Sequence, residues 1–254
     1  MSTTGNVAAP NKTSASMPIV KNPTLWLKIW AGMSVLGILV GLYFALVDAG
    51  TDTDQGDAQR IFYLHIASFG AATVAFVAAA ISGAQYLQAR NIKWDIIALA
   101  GVEVGFVFSV IGVTSGMVWA HSQWKTWWTW DPRLTSAAIM TLTYAAYLML
   151  RNGIENPDQR RRFASVYGIL AFSTVIFTFM ITRVRSDTIH PTVFGPSVAE
   201  TESSFRVTKG MIPAIGINMT VFTAFLAPTL IGLRVRLENL REDLNKTRAE
   251  LHNQ

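Results

Sequence analysis

The sequence predicts an all-α integral membrane protein of six transmembrane helices with both termini in the cytoplasm. Three observations predict it. Charged residues make up 15% of the chain against 51% hydrophobic, where a soluble domain carries about 25% charge. Apolar runs of about 20 residues recur along the chain, long enough to cross a hydrocarbon core roughly 30 Å thick. Basic residues gather in alternate connections, the positive-inside signature of a fixed topology.

Residues 1–22 are small and polar, with no apolar stretch of signal-peptide type, and read as a disordered tail. The membrane domain occupies residues 23–235. Its spans run from about Trp26 to Val47, Ile61 to Leu87, Trp94 to Trp119, Leu134 to Leu150, Phe163 to Ile181 and Ile212 to Leu233. The second and third are rich in Gly, Ala, Ser and Thr, which let membrane helices approach closely. Residues 236–254 continue as a cytoplasmic helical tail. Leu233, Leu237, Leu240, Leu244 and Leu251 recur there at three- and four-residue steps, with a gap at Thr247. Such a pattern suits a solvated extension or a docking helix equally.

Orientation follows from charge. Lys12 and Lys21 precede the first span, Arg90 and Lys93 follow the second, and Arg151, Arg160, Arg161 and Arg162 follow the fourth. The C-terminal tail carries five more basic residues from Arg234 to Arg248. The connection after the first span is acidic, with Asp48, Asp52, Asp54 and Asp57. The basic connections belong inside. The connections after spans one, three and five then face outward. The net charge of +5 is accounted for by this topology, and nucleic acid is not an expected partner.

The outer connection between spans three and four is the most distinctive stretch, VWAHSQWKTWWTWDPRLTS at residues 118–136. Five of the chain's eight tryptophans lie in it: Trp119, Trp124, Trp127, Trp128 and Trp130. Interface anchoring accounts for one or two tryptophans; five suggest a platform for a flat, apolar, partly charged ligand. Trp124, Trp127 and Trp128 share one face if this piece is helical. Asp131 can cap the following helix or orient a tryptophan N–H.

Two histidines fall on the same outer side. His65 sits in an otherwise apolar helix, where an ionisable group marks a functional site by default. His190 lies in a short stretch after span five. Imidazole is the usual axial ligand of haem iron, and two facing histidines can hold one iron. Each has a plainer reading, a helix–helix hydrogen bond for His65 and a solvated loop for His190. His121 is an alternative ligand, though a surface position suits it better. Haem carries two propionates, and arginine is the natural partner of a carboxylate. Arg60 and Arg133 are the best placed, with Arg183 and Arg185 on the same side. Glu103, inside span three, has no assigned role.

Several chemistries are excluded or lack a motif. With no cysteine there is no disulfide, thiolate metal site or CxxC redox pair. No phosphate-binding GxxxxGK[ST], HExxH or GxSxG is present. Nothing in the sequence demands bond-making catalysis by side chains, and the chain reads as a binding protein rather than as a catalyst acting through them.

The segment WAHSQWKTWWTWDPRLTS resembles the tryptophan-rich "WWD" signature of haem-handling proteins of cytochrome c maturation. Within that group the chain is most similar to the CcmC, or haem exporter protein C, family, whose members have six spans in about this length. CcmF and the CcsA-type synthases are larger. QRIFYLH resembles the segment before the family's first haem-ligating histidine, and RSDTIHP the segment holding the second. The resemblance therefore implies that His65 and His190 are axial ligands. It further implies that haem b, iron protoporphyrin IX, is bound as cargo at the periplasmic or extracellular surface of the cell (inner) membrane. The cargo would pass to the haem chaperone CcmE, and CcmA, CcmB and CcmD would complete the transporter. Two glycines common in the family's signature are Ala120 and Lys125 here, and a proline common after the first histidine is Ala67. Two alternatives stay open: a component of a CcsA-type cytochrome c haem lyase, and a transmembrane haem transporter.

Overall fold

The computed structural model describes residues 24–190 and 207–252. The expected N-terminal tail lies outside them. All regular structure among the described residues is helical. Helix α1 (Leu25–Tyr43) ends in a π-helical turn, Phe44–Asp48. Then follow α2 (Gln59–Ala89), α3 (Ile92–Trp124), α4 (Pro132–Gly153) and α5 (Pro157–Val184). The last rod is α6 (Met211–Thr220), a π-helical stretch at Val221–Leu226, and α7 (Ala227–His252).

Three of the helix starts have a local cause. The side chains of Asn91, Asp131 and Asn156 accept backbone N–H groups at the starts of α3, α4 and α5, satisfying donors that a helix leaves open. Pro132 and Pro157 occupy first-turn positions, where a missing N–H costs nothing.

Five of the described helical rods are long and apolar enough to cross a membrane: α1 with its π turn, α2, α3, α5 and the last rod. The fourth expected span, α4, is 22 residues long but is not among them. Its Thr, Ser, Tyr and Arg residues lower its apolar character. Its buried residues Ser136, Ala137, Met140, Tyr144, Tyr147 and Arg151 recur at helical spacing, so much of that polarity faces protein.

Packing centres on α2 and α3. The buried face of α2 carries a row of alanines, Ala67, Ala71, Ala72, Ala75 and Ala79; Gly101 of α3 lies against Ala75 and Ala79, and Gly105 and Gly112 lie against Phe76 and Phe69. A Cβ on Gly101 would lie 2.7 Å from the Ala75 carbonyl oxygen. The two backbones touch there, and only glycine fits. Phe76 stacks on Tyr144, ring centroids 3.5 Å apart, and links this pair to α4. Leu27 is the buried apolar side chain of α1, whose Leu25, Leu36 and Leu39 are more than 60% exposed. Such a surface is lipid-facing in a membrane.

One end of the bundle is closed by charge. Arg151 forms two hydrogen bonds to Asp95, of 2.7 and 2.6 Å, and both residues are buried. Arg161 stands 3.7 Å from the same carboxylate. Glu103, whose role was open in the sequence, pairs with Arg234 of α7, which also binds Glu238. The expected tryptophan segment and His65 lie toward the other end.

Removing one partner of a buried pair strands the other charge at a cost of about 3–5 kcal/mol. Asp95→Ala is therefore expected to lower the thermal unfolding midpoint in detergent by many degrees. An unchanged midpoint would mean that the Arg151 pair does not secure this end.

Candidate functional site: an aromatic pocket with two histidines

His65 and His190 meet. Their ring centroids are 6.3 Å apart and their planes 36° from parallel. His65 is held on α2 by a 2.9 Å hydrogen bond from Nδ1 to the Gly112 carbonyl oxygen on α3. A carbonyl only accepts, so Nδ1 carries the proton and Nε2 keeps its lone pair for a ligand. Gly116, one turn further on, lies against the same ring. A Cβ there would sit 2.7 Å from His65 Cε1. The α2–α3 contact thus fixes both the tautomer and the position of this imidazole.

His190 is positioned from a different direction. Asp131, 7% exposed, caps α4 through the N–H groups of Arg133 and Leu134. The same carboxylate accepts the Ile189 N–H at 2.7 Å and the Thr188 hydroxyl at 3.1 Å. Thr188 Oγ1 in turn accepts the His190 N–H. One buried carboxylate therefore anchors the segment that carries the second histidine to the end of the tryptophan-rich stretch.

The pocket between the histidines is a recess with about 680 Å³ of empty space, counting the part open to the outside. Trp119, Trp124 and Trp128 line it, with Phe62, Phe69 and Met117 among the remaining apolar walls. Trp119 and Trp124 meet edge to face at 5.2 Å. Trp119 Nε1 donates to the Gln55 side chain, and Gln123 Nε2 donates to the Gln55 carbonyl. The α1–α2 connection is thereby tied to the end of α3.

Arg133 reaches the same pocket. Its guanidinium donates to the Thr178 carbonyl oxygen and lies 5.2 Å from the Phe179 ring centroid. It makes no ion pair among the described residues. A cation on an apolar wall beside two imidazoles suits a ligand that is apolar in its body and anionic at its edge.

The other expected site residues lie elsewhere. Arg60 pairs with Asp57 at 3.3 Å and is not in the pocket wall. Helix α3 ends at Trp124, so Trp127 and Trp128 do not continue the helical face expected of them. Trp127 turns outward and stacks on His121 at 4.1 Å. Trp130 is 83% exposed and lines a separate groove between α4 and α5. Arg185 pairs with Asp187, whose carboxyl is thereby held below its usual range. Arg183 donates to the Phe179 carbonyl of its own helix. The sequence reading passed over Gln55, Gly112, Gly116 and Thr188. The carbonyl of a mid-helix glycine carries no sequence signal, and neither does a contact across 64 residues.

An all-helical, multi-pass membrane protein with a tryptophan-walled pocket around two histidines is the class these features define. The family model for CcmC, heme exporter protein C, matches residues 9–250. The chain belongs to this heme exporter protein C family. It is similar to the heme exporter protein C of Haemophilus influenzae, 27% identical over 227 residues and 86% of each chain. That of Rhodobacter capsulatus is 30% identical over 58% of this chain and 60% of its own length. That of Paracoccus denitrificans is 32% identical over 51% and 52%. The chain thus spans little more than half the length of these last two relatives.

Lys125 ends α3 in the left-handed region, at φ 59°. The family pattern's glycine at this position has a physical reason, since glycine enters that region without a Cβ penalty. Lys125→Gly should stabilise the protein by about 0.5–1 kcal/mol, read as a raised unfolding midpoint; a lower midpoint would contradict the account. Asp131→Ala should speed amide hydrogen exchange at Ile189 and His190 while leaving the α2–α3 core protected. Unchanged exchange there would show that the carboxylate does not hold this segment.

Proposed function

We propose that this protein binds haem between His65 and His190 and hands it to a haem chaperone of the CcmE type during cytochrome c maturation. The observation that carries the reading is the separation of the two imidazoles. With metal–nitrogen bonds of about 2.0 Å, and a ring centroid about 1.1 Å behind each nitrogen, two imidazoles on one metal sit about 6 Å apart between centroids. The 6.3 Å found suits that role. The His65 proton on Nδ1 adds support, because a second-shell carbonyl orients a ligating imidazole.

When bound, the iron accepts the imidazole lone pairs, and the rest of the work falls to this chain. Trp119, Trp124 and Trp128 supply flat apolar contact to the macrocycle. Arg133, which lines the pocket, pairs with a propionate. Arg60 serves the second propionate only after leaving Asp57. Asp131 acts through position, holding the His190 segment. Trp127 and Trp130, facing away from the pocket, are surface available to the acceptor.

The bundle crosses the cell inner membrane six times, with α4 as the sixth span. The acidic α1–α2 connection and the pocket lie on the periplasmic side. CcmA, CcmB and CcmD are the expected companions, and the cargo is haem b. A route for haem through the bundle has little support: Glu103, the acid deep in α3, is already paired with Arg234.

The test is the haem content of protein purified in mild detergent from haem-replete cells. His65→Ala and His190→Ala should each lower it several-fold, and Gly116→Ala should lower it by displacing the His65 ring. Full occupancy in both histidine variants would overturn the ligand assignment.

A further inference from the structure

Helix α7 runs well past the charged end of the bundle, and its two faces differ. One face turns inward: Arg234, Glu238, Arg241, Glu242 and Asn245 border a polar crevice shared with Glu103 and Arg151. At about 100° per residue, Leu233, Leu237, Leu240, Leu244 and Leu251 fall on a stripe centred about 120° round the helix from that face. Leu237, Leu244 and Leu251 are 61%, 48% and 50% exposed. No described element covers them.

The stripe has the heptad period. Leu237, Leu244 and Leu251 take one core position (a); Leu233, Leu240 and Thr247 take the other (d). The flanking positions are sorted by sign. Arg234, Arg241 and Arg248 occupy one flank (e), and Asp243 and Glu250 the other (g) after Arg236. In a parallel pair, each g residue faces the e residue five places on in the partner helix. Asp243 then meets Arg248 of the second helix, twice by symmetry. In an antiparallel pair, arginine would meet arginine and acid would meet acid.

We propose that the α7 extensions of two copies of this chain pair as a parallel coiled coil beyond the membrane. The membrane supplies the orientation, because two copies inserted the same way present α7 in parallel. It also raises the effective concentration of a seam too short to be stable alone. Arg236 would face Arg241 of the second copy, so the pairing is favoured from Asp243 outward rather than at the bundle. The proposal is independent of the haem reading, since the seam lies at the opposite end from the pocket.

The absence of cysteine makes the test direct. Single variants Leu237→Cys and Leu244→Cys on the stripe, and Glu242→Cys and Lys246→Cys off it, are oxidised in native membranes holding the full chain. Non-reducing gels should show a band at twice the 27.9 kDa chain, several-fold stronger for the two stripe positions. Asp243→Arg should weaken the Leu244→Cys band, and adding Arg248→Asp should restore it. Reducing gels confirm equal amounts of protein. Absence of the homodimer band, equal bands at all four positions, or a stripe adduct of another mass would each overturn the proposal. The last would assign the stripe to a different helix.

Discussion

The carboxylate of Asp131 accepts hydrogen bonds from two parts of the chain that are far apart in sequence. It caps α4 at Arg133 and Leu134, and it fixes Thr188 and Ile189 after α5. His190 follows directly and is bonded through Thr188. The pocket therefore depends on a buried acceptor filled by several donors, an arrangement whose cost of burial is offset only while each bond is made.

The first histidine is placed by a different principle. Small residues let α2 and α3 touch along their length, as at Gly101 against Ala75. That close approach brings the Gly112 carbonyl to His65 and leaves Gly116 as the floor beneath its ring. One imidazole is thus set by backbone packing and the other by a polar clamp. At the opposite end, Asp95 with Arg151 and Glu103 with Arg234 hold the helices together without touching the pocket.

Much of this was legible in the sequence. Helix order, the capping role of Asp131 and the convergence of His65 with His190 follow from hydropathy, charge bias and a distinctive tryptophan cluster. Three features were not. The end of α3 at Trp124 depends on Lys125 adopting a left-handed conformation, which lysine does not advertise. The division of the tryptophans, with Trp119, Trp124 and Trp128 inward and Trp127 and Trp130 outward, follows from that break in the helix. The hydropathy reading counted α4 with the other spans, although its Ser, Thr, Tyr and Arg residues put its apolar content below theirs.

The central claim is that His65 and His190 share one iron. Chemical rescue tests it most directly. In haem-loaded His65→Gly and His190→Gly variants, each cavity should admit free imidazole, and each absorption spectrum should return from a five-coordinate to a low-spin six-coordinate form. Low-spin spectra in both variants before imidazole is added would show that the iron is held by other side chains, and the account would fail.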